Sequence, residues 1–165
     1  MKTELVLSLT DLSRFEARCL EDGDEGVCLR TPNSPYKYGR STFGEHYLLK
    51  LKRRSDAEAI VIGLAEATEN LNEPELDQLG LTKRSSALAG KNPKGTLGAF
   101  TVRDLVTGVV FSIGSGRGLT AELRQQIWND PQTYLNRIVK YEYMEWGKER
   151  PRHPVWLGFR DERDL

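Results

Sequence analysis

Three short stretches carry residue types that handle phosphate. Glu25-Gly26-Val27-Cys28-Leu29-Arg30 sets a carboxylate before a glycine and an apolar run. A carboxylate there can hold a divalent ion close to a phosphate; an acid and a glycine before a strand also make an ordinary turn. Leu48-Leu49-Lys50-Leu51-Lys52 spaces two lysines two residues apart. On a strand this spacing projects both ammonium groups from one face. A phosphate would relieve their repulsion, and lysines so placed also guard an exposed sheet edge. The run from Arg150 to Arg163 flanks a short apolar strand with arginines. Guanidinium forks fit phosphate oxygens, and a solvated basic tail has the same composition.

Composition limits what these stretches can serve. The chain has 165 residues, 24 basic and 24 acidic, so its formal net charge is zero. That excludes a globally basic nucleic-acid binder and leaves a locally basic one open. Charge is sorted into blocks. Residues 55–80 hold seven acids and no base, residues 83–103 hold five bases and no acid, and four of the five residues from Lys50 to Arg54 are basic. Length allows one domain and a fraction. No apolar run approaches the roughly 18 residues of a membrane span, and the amino terminus lacks a signal peptide's apolar core. Two cysteines, Cys19 and Cys28, are too few for a disulfide scaffold or a zinc site. Both read as buried thiols in a reducing compartment.

The elements that must position these residues follow from periodicity. Leu12, Phe15 and Cys19 recur at helical spacing, with Thr10 or Asp11 to cap and Gly23 to end the helix. Gly26–Arg30 reads as a strand, 31–39 as a loop and 46–51 as a second strand. From residue 55 onward there are five strand candidates, at 57–67, 96–103, 109–113, 138–146 and 155–159. One helix lies between the third and fourth, capped by Thr120, turned inward at Leu123 and Ile127 and stopped by Pro131. The polar stretch 69–93 is turn-rich, with a short helix expected near 74–79. The order β-β-β-α-β-β is that of a five-stranded OB barrel, which binds oligonucleotides or oligosaccharides on one face. Gly114, Gly116 and Gly118 read as a tight turn open to a nucleic-acid backbone, without the βαβ context of a dinucleotide fingerprint. Trp128, Trp146 and Trp156 read as core residues, and His46 and His153 as ordinary surface or strand histidines.

Taken in order, the three stretches resemble motifs IV, V and VI of ATP-dependent DNA ligases, covalent nucleotidyltransferases of the small bacteriophage and bacterial type. Phe15-Glu16-Ala17, Tyr36 to Ser41 and the run LLKLKRR look like the end of the adenylation domain. GTLGA at 95–99, FSIGSG at 111–116 and Arg124 to Trp128 look like the OB domain. The resemblance implies a β-rich α+β chain: residues 1–54 a remnant of the adenylation domain, helix plus strands, and residues 55–165 a complete OB domain. It implies Glu25 as the metal-associated carboxylate of motif IV. Lys50 and Lys52 would contact the nucleotide α-phosphate, and Arg160 and Arg163 would orient the ATP pyrophosphate. Glu162 and Arg163 stand where the family has Asp and Lys, which keeps charge but changes geometry. Lys83, Arg84, Lys91 and Lys94 would track the backbone of a nicked duplex.

The family nucleophile is a lysine in a K-x-D-G motif, and no such tetrapeptide occurs here. Covalent catalysis needs that amine, so this chain should bind DNA without adenylating itself. ATP and Mg2+, implied by the family, should bind it poorly or not at all. Other expected partners are a missing adenylation domain or a second copy, meeting the apolar face of Leu12, Phe15, Leu29, Tyr47, Leu49 and Leu51. The resemblance places the protein in the cytoplasm of a bacterial or phage-infected cell, in DNA repair or replication. A stand-alone OB module without catalysis and an RNA-ligase or capping relative are the competing readings. GTLGA and FSIGSG argue against the last.

Overall fold

The structure, a computed structural model, describes residues 3–161. It divides into two compact units, residues 1–54 and 55–165.

The first unit opens with helix α1, Leu9–Glu21. Its cap is Ser8, whose hydroxyl oxygen accepts the Asp11 N–H at 3.1 Å, and not Thr10 or Asp11. Thr10 and Asp11 already lie inside the first turn, where a free N–H needs an acceptor from before the helix. The far end closes as expected at Gly23, in the left-handed region at φ +87°. The N–H groups of Gly23 and Asp24 reach back to the Leu20 and Cys19 carbonyls at 3.0 and 2.9 Å, a Schellman closure. Strands β1 (Gly26–Arg30) and β2 (Leu48–Lys52) then form an antiparallel pair. β2 starts two residues later than its alternation suggests, because His46 turns the chain at φ 55°. Glu16 on α1 is only 2% exposed. Both of its oxygens take hydrogen bonds from the Arg53 guanidinium, the Nε one at 2.8 Å, which ties the helix to the chain just past β2.

The second unit is built on five antiparallel strands: β3 (Ser55–Asn70), β6 (Lys91–Asp104), β7 (Val110–Ile113), β8 (Ile138–Tyr143) and β9 (Val155–Phe159). Their order is β7-β6-β3-β8-β9. Register shifts in β3 after Val61 and Ala65 mark bulges, which bend a long strand and raise its twist. The bending brings the outer edges together: Trp156 N–H donates to the Ser115 carbonyl at 2.7 Å. Val61, Leu97, Phe100, Val102, Ile113, Ile127, Val139 and Tyr141 fill the interior with at most 2% exposure. Helix α2 (Ala121–Asn129) covers one end, capped by the Thr120 hydroxyl on Leu123 N–H. Pro131 does not simply stop it; it opens a further short helix, α3 (Pro131–Tyr134), as the favoured first helical residue.

Between β3 and β6 the expected short helix is replaced by a hairpin, β4 (Pro74–Leu76) and β5 (Thr82–Arg84). Asp77 decides this. Its carboxylate accepts the N–H groups of Leu79 and Leu81 at 2.9 and 2.8 Å, and Gly80 takes φ +74°. An aspartate competing for backbone N–H groups favours a turn over a helix.

Three other expectations change. Cys19 is buried, but Cys28 is exposed, since alternation along β1 turns Val27 inward and Cys28 out. Trp156 lies in the core, while Trp128 is half-buried and Trp146 is 37% exposed. The glycines at 116 and 118 serve internal packing. A Cβ on Gly116 would lie 2.5 Å from the Trp156 carbonyl oxygen, and one on Gly118 would lie 2.8 Å from the Trp156 ring.

Among the described residues no helix is long and apolar enough to cross a membrane.

Gly116→Ala should therefore destabilise the second unit by about 1–3 kcal/mol, the usual cost of overpacking. Gly158→Ala, with nothing within 4 Å of its added methyl, should change stability by less than about 0.5 kcal/mol. Urea denaturation followed by tryptophan fluorescence reads both.

Candidate nucleotide and nucleic-acid interfaces

In the first unit the β1–β2 register sets Gly26, Cys28 and Arg30 opposite Lys52, Lys50 and Leu48. Residues opposite one another share a face. One face of the ribbon therefore carries Cys28, Arg30, Leu48, Lys50 and Lys52, all exposed, and the other turns Val27, Leu29, Leu49 and Leu51 toward the unit's interior. Three cations on one face make a field suited to an anion.

Glu25 stands beside this face, and Lys52 Nζ lies 2.5 Å from its Oε2. Lys50 has no acidic partner among the described residues. A groove of about 730 Å³ runs along β2 and is lined by Arg40, Ser41, Phe43 and Lys50. The loop forming its wall is pinned. Glu45 receives Lys37 Nζ at 2.7 and 2.9 Å, and the Thr42 N–H and hydroxyl at 2.9 Å each. Ser41 Oγ accepts the Leu48 N–H at 3.1 Å.

Arg40 and Lys50 line this groove, which gives it the charge an anionic group needs. A metal fits less well. The described residues contain no cluster of three ligating side chains, and Glu25 already faces an ammonium group where a divalent cation would have to sit.

In the second unit Arg160 follows β9, and its Nε lies 2.5 Å from Glu58 Oε1 on β3. Its backbone N–H donates to the Ile138 carbonyl at 2.8 Å. Next to this pair Lys140 reaches Asp56 at 2.6 Å, and that hydrogen bond holds the Asp56 carboxyl below its ordinary range. Arg163 lies outside the described residues. Lys83 and Arg84 sit on β5, exposed. Lys91 opens β6 opposite Asn70, and Lys94 is exposed further along the same strand. The four basic residues thus belong to the hairpin and the end of β6 to which it is rooted.

Residues missed by the sequence reading also shape the unit. Arg124 donates through Nη1 to the Leu97 and Gly98 carbonyls at 3.1 and 3.0 Å, and through Nη2 to Gly114 at 2.7 Å. A lone arginine on a helix gives no sequence signal of that role. The Tyr141 hydroxyl donates to Asp104 Oδ2 at 2.6 Å inside the barrel. Burial, reinforced by this bond and the neighbouring charge, pushes the Tyr141 phenol far above its ordinary value. Burial alone would raise Asp104, but hydrogen bonds from Tyr141, Thr107 and Val106 outweigh it and hold the carboxyl down. A basic loop at Lys148, Arg150, Arg152 and His153 borders a cavity of about 710 Å³ beside Phe111 and Ser112.

A sheet of this order, closed at β7 and β9 and covered by one main helix, is an OB barrel, a class built to bind oligonucleotides or oligosaccharides. Residues 89–160 match the family of DNA ligase OB-like domains. The adenylated DNA ligase of Chlorella virus is 34% identical over 95% of this chain and 49% of that one, with a TM-score of 0.48. A Lig E DNA ligase, described as binding DNA with a minimal scaffold, is 22% identical over 94% of this chain and 48% of that one, with a TM-score of 0.63. The ATP-dependent DNA ligase of bacteriophage T7, solved with ATP, is 19% identical over 94% of this chain and 43% of that one, with a TM-score of 0.42. The likeness to Lig E shows the fold. The chain spans about half the length of the ligases it matches. No curated protein matches it.

The pinned loop gives a pH test. The Lys37 ammonium, then the Thr42 N–H and hydroxyl, hold Glu45 down to about 2 from its ordinary 4.5. A depressed carboxyl stabilises the fold above its unfolded value, and the contribution fades as pH falls through its folded value. The Glu45 carboxyl carbon should titrate in NMR near pH 2, and Lys37→Met should return it toward 4.5. A wild-type midpoint at the ordinary value would show that the loop is not pinned in solution.

Proposed function

We propose that this chain is the carboxy-terminal part of an ATP-dependent DNA ligase that seals nicks in duplex DNA by transferring AMP to a 5′-phosphate. The observation that carries this reading is the match of residues 89–160 to the ligase OB-like family. The duplex backbone is assigned to the OB unit, with Lys83, Arg84, Lys91 and Lys94 as phosphate contacts. Such contacts are independent of sequence and weaken with salt.

The first unit is the carboxy-terminal remnant of an adenylation domain. Lys50 and Lys52 are assigned to the nucleotide α-phosphate, where paired ammonium groups stabilise developing charge. Arg160 and Arg163 are assigned to the pyrophosphate. Glu25 is the metal-associated carboxylate of the family, and its pairing with Lys52 argues that Mg2+ is not held by this chain alone. ATP is accordingly bound poorly or not at all. Without a K-x-D-G lysine the chain takes no AMP by itself. Its partners are nicked duplex DNA and, on the face of the first unit, either the missing part of an adenylation domain or a second copy. The free thiol at Cys28 and the DNA substrate fit the cytoplasm of a bacterial or phage-infected cell, in repair or replication.

The decisive experiment measures binding to a labelled nicked duplex, the intact duplex and a single strand, each at two salt concentrations. A preference for the nicked duplex that falls with salt is expected, with no covalent label from radioactive ATP. Absence of duplex binding at both salts would overturn the DNA-clamp assignment. Preference for the single strand would favour a stand-alone OB module. Covalent labelling would overturn the claim that the nucleophile is missing.

The first unit buries few apolar side chains, fully only Cys19 and Val27 among the described residues. Self-association or fast amide exchange across residues 1–54 is therefore expected. A monomer by light scattering, with slow exchange throughout that segment, would show that the unit is self-sufficient.

A further inference from the structure

The hairpin between β3 and β6 has an unusual physical basis. It carries five leucines, at 71, 76, 79, 81 and 88, and all are more than half exposed. It gains no core of its own, and a two-stranded hairpin is only marginally stable in water. Its direction is set at its root.

Two asparagines close that root. Asn70 Nδ2 donates to the Ser85 carbonyl at 2.8 Å. Asn72 Nδ2 lies 2.7 Å from Asn70 Oδ1, 3.0 Å from the Ser85 carbonyl and 2.9 Å from the Ala87 carbonyl. Asn70 Oδ1 also accepts the Asn72 N–H at 3.1 Å, and Leu71 N–H donates to the Gly90 carbonyl at 2.7 Å. Arg84 donates from Nη1 to the Asn72 carbonyl. Gly90 leaves room for the clasp: a Cβ there would lie 2.3 Å from Asn72 Oδ1. The outgoing and returning chains are thus joined by the Asn70 and Asn72 amides, the Leu71–Gly90 main-chain bond and the Arg84 guanidinium, with the Asn72 amide lodged against a glycine.

We propose that Asn72 is a positioning residue for nucleic-acid binding. It holds the hairpin as a fixed arm, so that Lys83 and Arg84 meet the duplex backbone without first being ordered. This rests on the assignment of Lys83 and Arg84 as phosphate contacts. Neither the family match, which begins at residue 89, nor the charge pattern assigns a role to Asn72. The physical reason is preorganisation: an arm that must be ordered on binding gives up part of its contact energy to that ordering.

The test uses the full chain and a labelled nicked duplex over a salt series. Lys83→Ala with Arg84→Ala should weaken binding and lower the slope of log K against log salt by about 1–2, since each lost phosphate contact removes roughly 0.9. Asn72→Ala should weaken binding about fivefold or more at low salt and lower the slope in the same direction, as should Gly90→Ala, which expels the Asn72 amide while leaving it in the sequence. Adding Asn72→Ala to the Lys83/Arg84 variant should cost less than about a further twofold, because the clasp acts through those two residues. The urea midpoint of the barrel should be unchanged in each, since no core residue is touched.

If Asn72→Ala and Gly90→Ala bind like the wild type while the Lys83/Arg84 variant is weaker, the clasp does not position the arm and the proposal falls alone. If the Lys83/Arg84 variant binds normally, the phosphate-contact assignment falls and takes the proposal with it. If the losses simply multiply, Asn72 acts by some route other than Lys83 and Arg84, which also overturns it.

Discussion

The barrel depends on one main-chain hydrogen bond at its seam, from Trp156 N–H to the Ser115 carbonyl. Every other pair of neighbours in the sheet is joined by a ladder of several paired residues, with bulges between β3 and β6 and between β8 and β9. Joining its two outer edges removes exposed pairing groups, as barrel closure does in general. The seam forms only because the chain at Gly116 can lie against the Trp156 carbonyl and the chain at Gly118 against the Trp156 ring. Arg124 secures the same region from the helix side, with one planar guanidinium donating to carbonyls of β6 and of the loop after β7. A lysine would bring a single point of charge in place of this fork. The aromatic cluster of Phe100, Trp156 and Phe159 packs behind the seam. The strands that carry Glu58, Arg160 and the root of the hairpin arm all belong to this barrel.

The two units solve the problem of positioning charge in different ways. In the second, a core of thirteen buried side chains fixes the strands, and the functional candidates sit on their ends and on the arm. In the first, alternation alone does most of the work. Leu49 and Leu51 turn inward and Lys50 and Lys52 turn outward because side chains alternate along a strand. The buried Glu16 with its Arg53 partner then fixes the helix relative to that ribbon. Removing the arginine would leave the Glu16 carboxylate, itself 2% exposed, without the two hydrogen bonds that compensate its burial. A carboxylate thus contributes an ordering contact in the unit with the least apolar burial.

Much of this arrangement is legible in the sequence, for identifiable reasons. The five barrel strands, the helix between the third and fourth and the lysine face of β2 follow from period and spacing, which report burial directly. What is not legible depends on side chains reaching main-chain groups. Leu76 and Leu79 sit at helical spacing after a proline, yet the Asp77 carboxylate takes two N–H groups that a helix would need. Ser8 displaces Thr10 and Asp11 as the helix cap for a similar local reason. The glycines at 114, 116 and 118 signal close approach, but sequence does not say to what; Gly114 lies against Gly98 and Ala99, and Gly116 and Gly118 lie against Trp156. Cys28 illustrates a readable error, since its place between Val27 and Leu29 already turns it outward. The Asn70–Asn72 clasp and the Arg124 fork carry no motif at all.

Charge sorting explains how a chain of zero net charge presents a basic surface. Many of the acids answer cations within their own unit: Glu16 with Arg53, Glu25 with Lys52, Glu45 with Lys37, Asp56 with Lys140, Glu58 with Arg160, Glu145 with Arg152. A cation so paired must give up its carboxylate before it can neutralise a phosphate and release the counterions condensed on a nucleic acid, and that release is what drives backbone binding. Lys50 in the first unit and Lys83, Lys91 and Lys94 in the second are among the cations without such a partner within the described residues, and under the proposed function the salt dependence of binding should rest on cations of this kind. Arg160 is among the paired cations: its Nε lies 2.5 Å from Glu58 Oε1, so under the proposed function a phosphate that meets it must compete with that carboxylate for the guanidinium.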